Sequence, residues 1–167
     1  MNFYEQENNK TVLKTREIIR ELPEFCNEFF LDLNQNTLPK TRMGYAYDLR
    51  VFFNFLVTEN KEFLGRDIKS LTLDDLQKIK VVDINQFMDY LAYYVSDEDS
   101  QLYSNGENGK ARKLAAVRKL FKYFYRTEKI SSNPAELTIT PKRHEKEIVR
   151  LEPNEVAEML DVIENGS

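Results

Sequence analysis

Lys110 to Arg126 reads KARKLAAVRKLFKYFYR, seven Lys or Arg residues and no acid. Leu114, Val117, Phe121, Phe124 and Tyr125 recur at the i, i+3, i+4, i+7 spacing of one buried helical face. At about 100° per residue, Arg112, Arg118, Lys119, Lys122 and Arg126 fall in a separate arc of roughly 120°. Lys110 and Lys113 complete the set of cations. The stretch therefore predicts a helix buried on one side and cationic on another. Solvated helix faces usually mix signs so that residues four apart pair, and this face does not. On charge alone it fits either a polyanion partner or plain solvent.

The rest of the chain sharpens that contrast. The 167 residues carry a net charge of −4, which as a whole points to no nucleic acid. Val81 to Gly109, however, holds Asp83, Asp89, Asp97, Glu98, Asp99 and Glu107 without a single base, and the cationic stretch follows at once. Blocked charge of this kind makes a two-faced molecule. Only 5 Gly and 5 Pro argue against a turn-rich β-sandwich. The length suits one sizeable domain with an appendage. The single Cys26 excludes a disulfide framework and a multi-cysteine metal site, and its apolar setting predicts a buried thiol. The sequence has no run long enough to span a membrane and no signal-peptide pattern, so the cytoplasm is the expected location.

Outward from the cationic stretch, helical patterns alternate with loops. Residues 1–10 are polar and expected to fray. Val12–Leu22 is weakly amphipathic. Pro23 opens a helix to about Asn34, with Phe25, Cys26, Phe29, Phe30 and Leu33 on its apolar face. A long helix is expected over Pro39–Asn60, capped at Thr37 or Leu38, with Tyr45, Leu49, Phe52, Phe53 and Leu56 buried. Gly44 inside it is either a tolerated defect or a point of close backbone approach. Thr72, followed by Asp74 and Asp75, predicts a short helix start. Asp83 predicts the cap of a helix reaching about Val95, and Ser96–Gly109 a loop with a turn at Asn105-Gly106. Ser131-Ser132-Asn133-Pro134 ends the cationic helix. Residues 135–150 read as an extended linker, and 151–167 as a trailing amphipathic helix with nothing after it to cover its face.

Catalytic signatures are missing. The sequence has no Gly-rich phosphate loop, H-E-x-x-H, C-x-x-C or G-x-S-x-G. His144 is the only histidine and has no partner in its surroundings. Asp74-Asp75 is explained by helix-start electrostatics, although a hydrolase working through carboxylates is the formal alternative. Core packing is the favoured reading of Tyr45 and Tyr125. Neither a catalytic residue, nor a metal ligand set, nor a cofactor site is expected.

Three segments together resemble the tyrosine recombinases, the phage-integrase family with its Xer-type enzymes. Thr41, Tyr45, Asp48-Leu49, Phe52 and Phe55-Leu56 are similar, without a gap, to the family's T-x3-Y-x2-D-L-x2-F-x2-F-L helix. Arg112, Leu114, Val117-Arg118, Leu120, Tyr123-Phe124, Ile130 and Asn133-Pro134-Ala135 resemble R-x-L-x2-L-R-x-F/L-x2-Y/F-L followed by I-x-x-N-P-A, with Val117 and Phe124 as conservative departures. Leu151-Glu152-Pro153-Asn154-Glu155-Val156 is similar to the L-[ST]-x-x-E-[VA] opening of the catalytic domain, with Glu152 in place of the hydroxyl residue. The resemblance covers residues 15 to 167.

It implies an all-α protein: a compact, four- to five-helix SAM-like bundle over 1–134, a linker over 135–150, and the first helix of a truncated catalytic domain over 151–167. In the family, such a core-binding domain forms half of a clamp on double-stranded DNA, with its second and fourth helices on the major groove. By that resemblance the contacts would come from Lys40, Thr41, Arg42, Arg50, Lys110, Arg112, Lys113, Arg118, Lys119, Lys122 and Arg126. Most would neutralise phosphates, while Thr41, Arg42 and Arg112 are placed to reach base edges. The family's catalytic Arg, Lys, His-x-x-Arg and Tyr have no counterparts here; Glu147 follows His144 at the third position. The expected partners are duplex DNA and other recombinase protomers, with no membrane. The reading is thus a DNA-binding piece of a site-specific recombinase that is not itself an enzyme. The alternative is a helical protein-interaction module that leaves DNA alone.

Overall fold

The computed structural model describes residues 2–95 and 99–141. They form α1 (Phe3–Glu21), α2 (Cys26–Leu33), α3 (Pro39–Glu59), a 3-10 turn (Ile68–Ser70), α4 (Leu73–Gln77), α5 (Val81–Leu91), β1 (Tyr94–Val95), β2 (Leu102–Tyr103) and α6 (Glu107–Arg126). The all-α expectation holds, with one two-residue antiparallel ribbon added. The trailing helix over 151–167, the linker beyond Pro141 and His144 lie outside the described residues.

α3 is the hub. It packs against α1, α5 and α6, and its Leu49, Phe52, Phe53, Phe55 and Leu56 are buried. Pro39 stands in the first turn, where its missing N–H costs nothing. Phe25 wedges edge-on between Phe53 of α3 and Phe124 of α6, at ring-centroid distances of 5.9 and 5.6 Å. On the far side, Phe52 meets Phe87 of α5 at 5.1 Å. Edge-to-face contacts of this type add about 0.5–1.5 kcal/mol each beyond area burial. Cys26 is fully buried, and burial pushes its thiol pKa well above the ordinary range, so it stays protonated and inert.

Several boundaries differ from expectation for local reasons. Residues 3–10 are helical. Asn2 accepts from the Glu5 N–H, and the Glu5 carboxylate reaches back to the Asn2 N–H. This capping box starts α1 nine residues before Val12, the first apolar position of the pattern. α5 begins at Val81, with Asp83 in its first turn and accepting from the Lys80 N–H. The expected loop 96–109 contains a ribbon instead. Tyr94 pairs with Tyr103 and Val95 with Leu102, and the rings of Tyr90, Tyr94 and Tyr103 stack in series at 4.9 and 5.6 Å. α6 starts at Glu107, three residues earlier than its cations suggest. A Cβ on Gly44 would meet open space, so that glycine is a tolerated defect and the close-approach reading fails. Tyr125, read as core, is 48% exposed; it stands at the edge of the apolar arc, and Phe124 fills the interior.

Packing also continues past Pro134. Ala135 and Thr138 are buried, held by Arg118. Its Nε donates to the Ala135 carbonyl at 3.1 Å, its Nη2 to the Thr138 carbonyl, and its Nη1 to the Thr140 hydroxyl at 2.5 Å. Residues 135–140 are fastened to α6 in this way.

Candidate nucleic-acid interface

Arg112, Ala115, Lys119, Lys122 and Arg126 all lie on the exposed side of α6. Their spacing of three, four, three and four residues draws one straight row along the helix, about 21 Å long at 1.5 Å per residue. The polar residues could line up this way because every buried residue of α6 in this region (Lys113, Leu114, Ala116, Val117, Leu120, Phe121, Phe124) falls outside that arc.

The neighbours of the row are fixed by contact. Lys119 Nζ lies 5.9 Å from the Tyr45 ring centroid, and Arg112 Nε lies 3.7 Å from Asp48 Oδ2. Sequence rises along α3 as it falls along α6, so the two helices run antiparallel where they meet. Thr41, one turn before Tyr45, therefore lies toward the Lys122 end of the row. Lys40 and Thr41 are both exposed. The segment tied down by Arg118 flanks the other side of α6. The row is a ridge between α3 and residues 135–140.

Acids close off one end. Arg126 Nη2 is 3.5 Å from Asp32 Oδ2 and its guanidinium lies 5.8 Å from the Tyr123 ring. Glu28 accepts from Lys129 Nζ at 2.5 and 2.6 Å and from the Tyr123 hydroxyl at 2.9 Å. The Lys129 ammonium foremost, joined by the Tyr123 hydroxyl, holds the Glu28 carboxyl below the usual range against the opposing effect of burial. Lys119 and Lys122, by contrast, have no acid within ion-pair distance among the described residues. Beneath the other end, Asp48 and Lys113 form a buried pair. Burial raises the Asp48 pKa, opposed by Lys113 and Arg112, and burial lowers that of Lys113, opposed by Asp48.

The eleven cations and hydroxyls read from the sequence thus divide. Lys40, Thr41, Arg112, Lys119, Lys122 and Arg126 are exposed, and Lys110 is half-exposed. Lys113 is a correction: it is 6% exposed, because its position points at α3, and it donates to Asn105 Oδ1 at 2.9 Å. Arg118 is committed to three acceptors in 135–140. Arg50 turns to α1, 2.8 Å from Glu21, with its side chain 12% exposed. Arg42 folds back to the Thr37 carbonyl at 2.5 Å and lines a small apolar groove against Val12 and Arg16 of α1. Their charge was legible, but not their partners: chain reversals bring Asp48 to Lys113, residues 135–140 to Arg118 and Glu21 to Arg50, while Arg42 takes a carbonyl five residues before it. Asp48 was quoted only as part of a motif. An acid on the edge of an otherwise apolar stripe is the signal that could have singled it out.

Among the described residues, no other surface competes as a site of chemistry. A cleft of about 870 Å³ between α3 and α5 is lined by Glu59, Lys61, Glu62, Lys78, Asp83 and Asp89, charges of both signs. Asp75, half of the carboxylate pair, accepts from Arg66 Nη1 at 2.7 Å and from the Thr72 N–H at 2.9 Å. Those bonds, the Arg66 one foremost, keep its carboxyl below the usual range. Among the described residues, no three His, Cys, Asp or Glu side chains gather closely enough to hold a metal ion. No described helix is long and apolar enough to cross a membrane.

The described residues thus form a helical body with an antiparallel helix pair and a row of cations on one side of α6. The chain is related to the tyrosine recombinases of the Xer type. A tyrosine recombinase XerC of Caldanaerobacter subterraneus subsp. tengcongensis is 32% identical over 150 residues, 86% of this chain and 40% of that protein. One from Chlorobaculum parvum is 34% identical over 130 residues, covering 78% and 34%. One from Pelobacter propionicus is 27% identical over 131 residues, covering 78% and 37%. The chain thus spans two fifths or less of the length of these relatives. No family model matches it, and no solved structure matches it significantly.

Proposed function

We propose that this chain is a DNA-holding part of a site-specific tyrosine recombinase, corresponding to the SAM-like core-binding domain. It would grip duplex DNA at the core recombination site, with α3 and α6 toward the major groove. The single observation that carries the reading is the row Arg112, Lys119, Lys122 on α6: exposed, of one sign, and in two of its three members supported from below by α3. Cations of this kind supply affinity and register through phosphates, and base contacts would fall to Thr41 and Arg112 beside them. Relationship to enzymes named for recombination supports DNA as the polyanion. Other recombinase protomers would be the protein partners. We assign to this chain the holding of DNA rather than the cutting and rejoining of it.

The alternative is a module that binds proteins. The exposed Tyr93, Val95 and Leu102 around the β-ribbon favour it, since exposed apolar residues that cluster mark contact surfaces. Fluorescence anisotropy with labelled duplex DNA, titrated across a salt series, separates the two. DNA holding predicts affinity that falls steeply with salt. No change in anisotropy at any salt concentration would reject it and leave the protein-binding module.

A further inference from the structure

We infer that Asp48 is a positioning residue: from beneath α6 it holds the Arg112 guanidinium by its Nε edge, so that the outer edge is presented to a DNA phosphate. The inference rests on the DNA-holding reading above and deepens it.

Asp48 belongs to α3, on the edge of the stripe formed by Tyr45, Leu49 and Phe52, and its side chain is 5% exposed. A carboxylate in such a place is tolerated only when paired. One cation suffices for neutrality, and Lys113 is that cation, with Nζ 3.9 Å from Oδ1 and a side chain as buried as its partner. Lys113 is also held independently, through Asn105 Oδ1 at 2.9 Å. Asn105 is itself anchored by two bonds to the Leu91 carbonyl, from its N–H at 3.1 Å and its Nδ2 at 2.9 Å. The pair is therefore complete without Arg112.

Yet the second carboxylate oxygen faces Arg112 Nε at 3.7 Å, and the Arg112 side chain remains 68% exposed. An arginine recruited merely to neutralise a buried acid would be drawn down with it. This one keeps its charge outside. With Asp48 and Lys113 cancelling, the net charge of the trio is the guanidinium of Arg112. The Nε edge turned to Asp48 leaves the two Nη groups for an anion, the geometry in which arginine grips phosphate. Lys119 is steadied in a parallel way by Tyr45, three residues before Asp48 on the same helix. One edge of α3 thus sets two cations of the α6 row before any ligand arrives, and that removes part of the ordering cost of binding.

The test uses the whole chain and a labelled duplex. On charge counting alone, removing an acid beneath a DNA-facing surface strengthens binding. Positioning predicts the opposite. Asp48→Asn should weaken binding by about three- to tenfold, the range expected for one side chain left to be ordered on binding. Arg112→Ala should also weaken it, and the double variant should be no weaker than Arg112→Ala alone. The Nε–H resonance of Arg112 should move to the position of a free arginine in Asp48→Asn. Should that variant fail to fold for want of a partner to Lys113, Asp48→Asn/Lys113→Gln removes both buried charges and leaves Arg112 equally unsupported. Weakening by Arg112→Ala together with wild-type binding by either Asp48 variant would overturn the inference and leave DNA holding intact. Additive losses in the Asp48→Asn/Arg112→Ala double variant would also overturn it. No effect of Arg112→Ala, or no binding by the unaltered chain, would remove both readings.

Discussion

Replacing Lys119 and Lys122 together by alanine should cut the salt dependence of duplex binding by about two thirds. With Arg126 paired to Asp32, the row offers three cations, Arg112, Lys119 and Lys122, over about 15 Å of helix, a length comparable to about four base-pair steps. If each neutralises one phosphate, the log–log slope of affinity against salt is about −2.7, since each phosphate contributes about 0.9 on duplex DNA. Between about 50 and 200 mM salt the unaltered chain would then lose about 40-fold in affinity, and the double variant about 3.5-fold. Both lysines are exposed and neither has an acid partner among the described residues. Their loss should therefore leave the fold intact, which circular dichroism and a urea midpoint within about 0.5 kcal/mol of wild type would establish. Anisotropy titrations at four or more salt concentrations give the slopes. A folded variant whose slope equals that of the wild type would show that these two lysines touch no phosphate, and the ridge on α6 would lose its assignment.

Three further outcomes follow from the packing. Arg118→Met should destabilise the chain by about 2 kcal/mol, because the carbonyls of Ala135 and Thr138 lose a charged donor, and it should leave the salt slope unchanged; urea denaturation and the titration above measure the two. Gly44→Ala should raise stability by up to about 1 kcal/mol, or about 3 °C in Tm, since its Cβ meets nothing and the site is helical; a fall in Tm would mean that the helix is strained there. Asp75→Asn should cost about 1–2 kcal/mol near neutral pH, through the lost Arg66 bond and the weakened Thr72 cap. The Asp75 carboxyl titrates lower in the folded chain than in the unfolded one, so its contribution is complete above the ordinary carboxylate pKa and disappears as pH falls through the lowered value. The stability difference between Asp75→Asn and wild type should accordingly shrink on acidification below about pH 4.

Much of this architecture could be read from the sequence, and what could not was of one kind. Regular period-3.6 patterns placed α2, α3 and α6 and nearly all of their buried residues, because burial of an apolar stripe dominates helix formation in a folded chain. Thr72 gave the start of α4 because its cap is local. The β-ribbon was missed for want of length. Two residues per strand show no alternation, and the ribbon is steadied by the serial stacking of Tyr90, Tyr94 and Tyr103, a contact between side chains that no strand pattern marks. α1 was cut short because its first turns bury almost nothing and depend on a polar cap. The site followed the same rule. The face of α6 was legible, whereas the fate of most cations was decided by which acid or carbonyl another element brought within reach: Glu21 for Arg50, Ala135 and Thr138 for Arg118, Asp48 for Lys113; Arg42 instead takes the Thr37 carbonyl in the turn before its own helix.

That sorting also resolves how a chain with a net charge of −4 can present a surface for a polyanion. Away from α6, several cations meet acids at short range: Arg50 with Glu21, Arg66 with Asp75, Lys78 with Glu62 and Lys129 with Glu28. Such pairs cancel at distances beyond a Debye length, about 8 Å in physiological salt, and contribute little to the field that DNA would meet. Unpaired charge governs that field. On α6 the one deeply buried cation is neutralised from below by Asp48, while Arg112, Lys119 and Lys122 keep their charge at the surface. Total charge counts both populations equally and so has the wrong sign for that face. The distinction is open to measurement. Shortening the acidic side chains of the remote pairs, Glu62→Ala for example, changes net charge by the same amount as Asp48→Asn but should leave duplex affinity within about a factor of two, because an exposed pair far from the row contributes little. A gain in affinity that tracked net charge alone, whichever acid was removed, would mean that the chain attracts DNA as a diffuse polyion and that the arrangement of the α6 row is immaterial.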